Sequence, residues 1–284
     1  MYFEYAGLTN TGLIRDHNED AYKLPEDTDS ETLSSKGHLY ILADGMGGHK
    51  KGEVASAVTI ETVNSEYYAI ANPVAIQSDP EGAIIDALSR AIQKANFDVM
   101  EVTEGGGTTI VAAVLYGDRL VTMNVGDSRA YLLRDNQLRL LTRDHSLVSR
   151  LVEMGKITEA EASTHPRRNV LYQALGQGTD VEIHTYSEKL QVGDTIILCS
   201  DGLWGEVHEE DLKRVLSSAP PRVAVQQLID LANASGGPDN ITAIIIHVTD
   251  KAPSAGTSLD DTDPSIEIPP KPNTLPEGKY HVDK

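Results

Sequence analysis

Acidic residues stand at the ends of several strongly apolar runs, each beside a glycine or in a glycine-rich turn. A single Asp-Gly pair is most often only a turn, so the argument depends on the whole set. Carboxylates that meet at one place repel each other, and a hard divalent cation removes that repulsion. If the runs are neighbouring strands, an all-oxygen site for Mg²⁺ or Mn²⁺ is predicted rather than a Zn²⁺ site. The acids are Asp44 after residues 39–43, Asp201 after residues 195–199 and Asp239 before residues 241–248.

The composition limits the classes of partner. The 284 residues include 43 acidic and 24 basic side chains, a net charge of −19. This balance argues against nucleic acids and anionic membranes, which both require a basic face. The one cysteine, Cys199, excludes a disulfide framework and is expected to be a small buried residue rather than a nucleophile. The start lacks a signal-peptide pattern and no run is long enough to span a bilayer, so a soluble cytoplasmic protein is expected.

Short apolar runs are typical of β-strands in this sequence. The runs at residues 108–116, 119–125 and 129–133, the first three of five such runs, are separated by gaps too short for a helix. We therefore predict that they form an antiparallel meander, with Asp127 in its second hairpin turn. Two later runs are apolar at nearly every position, which predicts burial on both faces. The later two runs are residues 195–199 and 241–248.

Helical periodicity covers residues 53–68 and 80–100, one directly after the other. Two successive helices followed by strands do not match the alternation of a doubly wound fold. We therefore expect an α+β fold in which helices cover antiparallel sheets. Shorter helical segments are predicted at residues 146–153, 158–162 and 222–234.

The composition changes near Lys251. Residues 251–284 hold six of the 13 prolines and show no strand or helix period. Such a segment cannot bury enough apolar area to offset its ordering entropy. We predict a catalytic domain of residues 1–250 and a Pro-rich, acidic, disordered tail of residues 251–284. The tail is either an inert end or a docking segment.

Seven motifs, in order, resemble those of the PP2C-type (PPM) serine/threonine phosphatases. The DGMGGH motif is nearer to the bacterial branch, because the eukaryotic enzymes carry DGHGG. The resemblance spans about residues 5–248 and implies a sandwich of two antiparallel β-sheets flanked by α-helices on both faces. The motifs are Arg15 with Glu19-Asp20, DGMGGH at 44–49, GTT at 107–109, VGDSR at 125–129, LTRDHS at 141–146, CSDGL at 199–203 and GPDN at 237–240.

The resemblance also implies a metal centre with two Mn²⁺ or Mg²⁺ ions. Asp44 would bridge both ions, and the Gly45 carbonyl would bind one of them. Asp201 and Asp239 would bind the other. A third, weaker ion is implied at Asp127 together with Asp201.

Three further residues take roles from the same resemblance. Glu19 and Asp20 would hold metal-bound waters, and Arg15 would clamp the phosphate, for which a guanidinium fork is well suited. Residues 147–178 match the variable flap that borders the active site in the family.

The implied reaction is hydrolysis of phosphoserine or phosphothreonine by a metal-activated water, without a phosphoenzyme. Phosphorylated proteins are the expected substrates, a Ser/Thr kinase the expected opposing enzyme, and a monomer the expected state. In the eukaryotic members a histidine at the position of Met46 is the candidate general acid. Because this chain has methionine there, we predict that His49 is the general acid. Metal-bound water is the alternative. A phosphatase of small phosphoesters and an inactive PP2C-like binding protein remain alternative functions, although the presence of all three strand-end aspartates disfavours the inactive form.

Overall fold

Two antiparallel β-sheets make up the centre of the computed structural model, which describes residues 1–25, 28–47 and 50–251. The strands are β1 (Tyr2–Asn10), β2 (Asp20–Lys23), β3 (His38–Met46), β4 (Gly107–Thr108), β5 (Ile110–Tyr116), β6 (Arg119–Val125), β7 (Arg129–Arg134), β8 (Gln137–Leu140), β9 (His184–Lys189), β10 (Thr195–Cys199) and β11 (Ile241–Thr249). One sheet has the order β1-β11-β10-β7-β8. The other has the order β2-β3-β5-β6-β9, with β4 paired to β3.

Helices cover the outer face of each sheet. The two long helices predicted from periodicity are present as α2 (Lys50–Ile70) and α4 (Pro80–Thr103), and Asp79 caps α4 by accepting a hydrogen bond from the Gly82 amide. No helix in the described ranges is both long and apolar enough to cross a bilayer. The helices are α1 (Ser30–Lys36), α2 (Lys50–Ile70), α3 (Pro73–Ser78), α4 (Pro80–Thr103), α5 (Leu147–Glu153), α6 (Glu159–Ser163), α7 (Asp201–Trp204), α8 (Glu209–Ser218) and α9 (Pro221–Ala234).

Three buried apolar clusters define the layers. The cluster between the sheets joins Leu42 of β3 to Leu198 of β10. A second cluster packs α2 and α4 onto the six-stranded sheet, and a third packs α8 and α9 onto the five-stranded sheet. Adjacent residues of β10 face different clusters, since Ile197 points to the helices and Leu198 to the other sheet. The predicted sandwich, flanked by helices on both faces, is therefore confirmed, as is the burial of β10 on both faces.

The predicted three-stranded meander is wrong at its third strand. β5 and β6 form the expected antiparallel hairpin, but β7 pairs with β10 in the other sheet. Gly126 has a φ of +102°, a left-handed conformation that suits glycine, and the chain leaves the six-stranded sheet there. Asp127 thus lies where the chain crosses between the sheets, not in a hairpin turn.

Truncation of a side chain between the sheets tests the importance of this core. Leu198→Ala should lower the free energy of unfolding by about 2–5 kcal/mol, because it removes apolar contacts and leaves a cavity. Urea denaturation followed by circular dichroism measures the change. Leu140→Ala is the control, since Leu140 is 42% exposed and its loss should cost no more than about 0.5 kcal/mol. Equal effects of the two substitutions would contradict the layer assignment.

Candidate active site

Both sheets bring acidic residues to one end of the sandwich. β10 and β11 are antiparallel neighbours, with Cys199 opposite Ala243, so Asp201 after β10 and Asp239 before β11 lie at the same end. In the other sheet, Asp44 is paired with Asp20 across β3 and β2. Asp44 was expected to follow its strand, but β3 continues through Met46, which places Asp44 inside the ladder. The strand pairing therefore supplies the juxtaposition that the sequence pattern predicted.

A cavity of about 600 Å³ opens at this end. Asp20 does not line the cavity and lies behind the wall, where it is buried. His49 lies outside the described residues, while Met46 lines the cavity. Among the predicted site residues, those that line it are Arg15, Glu19, Asp44, Gly45, Asp127, Asp201 and Asp239.

Asp20 is held from the five-stranded sheet. Its Oδ2 accepts hydrogen bonds from Ser200 Oγ at 2.9 Å and from Thr242 Oγ1 at 2.6 Å. Burial raises the pKa of Asp20 to about 7; the two hydrogen bonds oppose this shift, and repulsion by Asp201 and Asp239 adds to it. A carboxyl at the edge of one sheet is thus fixed by hydroxyls of the other.

The carboxyls inside the cavity disfavour one another's charge. Loss of hydration raises the pKa of Asp44 well above its ordinary value, with repulsion by Asp20 and Asp201 as the next causes. The pKa of Asp127 is raised well above its ordinary value in the same way. The pKa of Asp201 is raised by burial to about 6, with repulsion by Asp239 next, while a hydrogen bond with Asp44 lowers it. Negative charge at this site is therefore unfavourable without a counter-ion.

The donor set fits divalent cations. Asp20 Oδ1 and Asp201 Oδ1 are buried, and within the described part of the chain no N–H or O–H group donates to them, although buried polar atoms normally have partners. Gly45 forms part of a tight backbone cradle, because a Cβ at that position would lie 2.2 Å from the Gly52 carbonyl oxygen. No three His, Cys, Asp or Glu side chains in residues 1–25, 28–47 and 50–251 are gathered closely enough to enclose an ion by themselves. The Gly45 carbonyl is a further candidate ligand, since Gly45 lines the cavity beside Asp44.

Arg15 brings a positive charge to the acidic cavity. Its Nη2 donates to Asp239 Oδ2 at 2.7 Å, and the Arg15 side chain is about half exposed. The guanidinium therefore lies against one of the cavity carboxylates and keeps N–H groups accessible. An anion that enters the cavity can reach it.

Asn240 is a supporting residue to which the sequence reasoning gave no role. Its Oδ1 accepts from the Glu19 amide at 2.8 Å, and its Nδ2 donates to the carbonyls of Thr11 and His17, each at 3.0 Å. The side chain thus ties the loop that carries Arg15 to the start of β11. Its position next to Asp239 in the GPDN motif was the sequence feature that could have indicated this supporting role.

Trp204 and Arg129 support the Asp127 turn. Trp204 Nε1 donates to the Asp127 carbonyl at 3.0 Å, and the Arg129 guanidinium stacks 3.6 Å above the Trp204 ring. Arg129 Nη2 also donates to Asp144 Oδ2 at 2.7 Å. These contacts fix the backbone of Asp127, which lines the cavity.

Residues of the predicted flap also line the cavity. The flap starts with α5 and α6 and returns through residues 169–177, of which Leu171, Tyr172 and Gln177 line the cavity.

Cys199 is fully buried, and burial raises the pKa of its thiol to about 12, which agrees with its expected inert role.

Metal-free protein should lose stability as the pH rises. Asp20 and Asp201 have pKa values of about 7 and about 6 in the fold, against an ordinary 3.8. A carboxyl whose pKa is higher in the folded than in the unfolded state contributes its full stabilisation at pH values below its unfolded pKa. That stabilisation is lost as the pH rises through the folded pKa. In chelator, the melting temperature should therefore fall by several degrees from about pH 5 to about pH 8.

Adding Mn²⁺ should reverse most of that loss, because the cation stabilises the ionised carboxylates. Asp44→Asn should flatten the pH dependence in chelator by removing one repelling group. Asp86→Asn, at a 70% exposed position on α4, is the control and should leave it unchanged. A metal-free melting temperature that rises over this pH range would contradict the electrostatic account.

Comparisons with known proteins agree with this geometry. The family model of Protein phosphatase 2C matches residues 16–233. The chain is 38% identical over 245 residues to the serine/threonine phosphatase stp of Listeria monocytogenes, covering 84% of this chain and 93% of that protein. It is 35% identical over 256 residues to the serine/threonine protein phosphatase PstP of Mycobacterium tuberculosis, covering 88% of this chain and 46% of that longer protein.

Solved structures show the same fold. The serine/threonine phosphatase of S. agalactiae superposes with a TM-score of 0.77 and 35% identity, covering 87% of this chain and 100% of that one. The catalytic domain of PstP in complex with two manganese ions superposes with a TM-score of 0.72 and 33% identity, covering 87% of this chain and 99% of that one. The chain therefore belongs to the protein phosphatase 2C family of metal-dependent serine/threonine protein phosphatases, and the relatives named here are its bacterial members.

Proposed function

We propose that the cavity around Asp44 hydrolyses phosphoserine and phosphothreonine in proteins, with two Mn²⁺ or Mg²⁺ ions as cofactors. The observation that carries the proposal is a pair of buried carboxyl oxygens, Asp20 Oδ1 and Asp201 Oδ1, that lack a donor among the described residues, in a site where the accessible guanidinium of Arg15 contacts Asp239. Clustered carboxylates hold hard cations, and a guanidinium binds phosphate oxygens. The two together match a phosphate monoester and its metal ions.

Individual residues take the following proposed parts. Asp44 and the Gly45 carbonyl would hold one ion, and Asp44 would share the second with Asp201 and Asp239. Bound cations would screen the phosphate dianion and acidify a water, so that hydroxide is available near neutral pH.

The remaining site residues would orient what enters the cavity. Arg15 would bind two phosphate oxygens and turn the phosphorus toward the carboxylates, and its contact with Asp239 would keep the fork in place. Glu19 and Asp20 would fix water by accepting hydrogen bonds. Asp127 would hold a third, weaker ion with Asp201.

The product hydroxyl of serine or threonine needs a proton, and Met46 cannot supply one. We propose His49 for this role, because of its position in the sequence and the chemistry of imidazole.

We also propose that residues 1–250 are the catalytic domain and that the enzyme is a cytoplasmic monomer that opposes a Ser/Thr kinase. The proposed tail, apart from Lys251, lies outside the described residues.

Hydrolysis of a phosphothreonine peptide and of an aryl phosphate, each with Mn²⁺ and with excess chelator, tests the function. We expect turnover of both with Mn²⁺ and loss of both in chelator. A chain active only on aryl phosphate would instead be a small-phosphoester phosphatase. Binding of the peptide without turnover would identify a binding protein.

Removal of the three proposed aspartate ligands should abolish turnover and leave the fold intact. Asp44→Asn, Asp201→Asn and Asp239→Asn should each lower kcat by several orders of magnitude, because a ligand to the ions is lost. Calorimetric titration with Mn²⁺ should show weaker binding in each variant, whereas Asp86→Asn should match the wild type. Unchanged Mn²⁺ affinity and kcat in Asp239→Asn would remove Asp239 from the proposed ligand set.

The choice of leaving group tests His49. His49→Ala should lower turnover of the phosphothreonine peptide by about 10²–10⁴, the usual share of general acid catalysis. It should lower aryl phosphate turnover far less, because a phenolate leaves without needing a proton. Equal losses on both substrates would point to a positioning role, and no loss on either would leave metal-bound water as the acid.

A further inference from the structure

One buried amide attaches the end of the flap to α4. Asn96 lies on α4 with no exposed surface. Its Nδ2 donates to the Gly178 carbonyl at 2.8 Å, and its Oδ1 accepts from the Gly176 amide at 2.8 Å. Both ends of one side chain thus bind the backbone of a three-residue segment, which fixes that segment in position and in orientation.

This segment continues directly into the lining of the cavity. Gln173, Ala174 and Gln177 line the cavity together with the carboxylates. Between them, Leu175 exchanges two backbone hydrogen bonds with Thr108, at 3.1 and 2.9 Å. Thr108 Oγ1 in turn donates to the Asp44 carbonyl at 2.8 Å. Hydrogen bonds therefore connect the flap wall to Asp44, through Thr108, and also to Asn96.

Gly176 shows how closely the segment lies against the helix. It has a φ of +82°, and a Cβ there would lie 2.4 Å from Val99 Cγ1 of α4. Without the Asn96 amide, the Gly176 N–H and the Gly178 carbonyl would lose their partner beside this packed surface. Such unpaired groups are costly when buried, so the segment would move to reach water.

We propose that Asn96 is a positioning residue that holds the flap wall in the register required to bind a phosphorylated polypeptide. The proposal rests on the proposed phosphatase function. A polypeptide must contact the wall formed by residues 173–177, whereas a small aryl phosphate needs only Arg15 and the carboxylates. Loss of Asn96 should therefore weaken peptide binding and spare the chemical step.

Steady-state kinetics of Asn96→Ala with Mn²⁺ tests the inference. We expect the KM for a phosphothreonine peptide to rise about tenfold, since a small misplacement of binding groups is costly. The kcat on the peptide and the kcat/KM on an aryl phosphate should stay within about twofold of the wild type. Thr62→Val is the matched control: Thr62 Oγ1 also bonds to α4, at Asp98 Oδ2, without contact to the flap, and its loss should leave both substrates unaffected.

Amide hydrogen exchange gives a second readout that does not depend on activity. In Asn96→Ala, residues 174–178 should exchange faster, while β3 and β5 stay protected. Asn96→Leu keeps the branched heavy-atom skeleton of the side chain without its hydrogen-bonding groups, and should behave in the same way if the alanine variant is unstable. Faster exchange throughout both variants would make Asn96 a folding residue and overturn the proposal.

An unchanged peptide KM, equal losses on both substrates, or the same effect in Thr62→Val would also overturn it. Failure of the wild-type enzyme on both substrates would refute the proposed function itself. That outcome appears before any variant is made, so the two proposals are separable.

Discussion

Repulsion between enclosed carboxyl groups is the interaction on which the site depends. Burial raises the pKa of Asp20, Asp44 and Asp201, and repulsion by neighbouring carboxylates raises each of them further. Left alone, such a group favours protonation or unfolding. The fold tolerates it because the apolar core between the sheets and the two helical layers stabilise the strand ends independently of the acids.

Antiparallel pairing explains why distant segments meet. The ends of β10 and β11 coincide because consecutive pairing partners run in opposite directions, and β2 presents Asp20 across the gap between the sheets. Hydroxyls of Ser200 and Thr242 then bind Asp20 from the five-stranded sheet. The site thus lies between the two sheets, and these hydrogen bonds also fix the position of one sheet relative to the other there.

Much of this arrangement could be predicted from the sequence, because the acids mark the strand ends and the long helices have clear periodicity. The crossing of β7 to the other sheet could not, since a short glycine turn is compatible with a hairpin or a crossover. β1 went unrecognised because its residues are only partly buried, which weakens the alternation of apolar and polar positions. The role of Asn96 was also hidden, because a polar residue on the inner side of a helix does not reveal its partner 80 residues away.

Trp204, the single tryptophan of the chain, lies between the Arg129 guanidinium and the Asp127 carbonyl. Its indole therefore senses a charge stacked on its face and a hydrogen bond at its nitrogen. A cation bound at Asp127, as proposed, would change both surroundings without touching the ring. The emission of this one fluorophore would consequently report occupancy at Asp127 without any label or substrate.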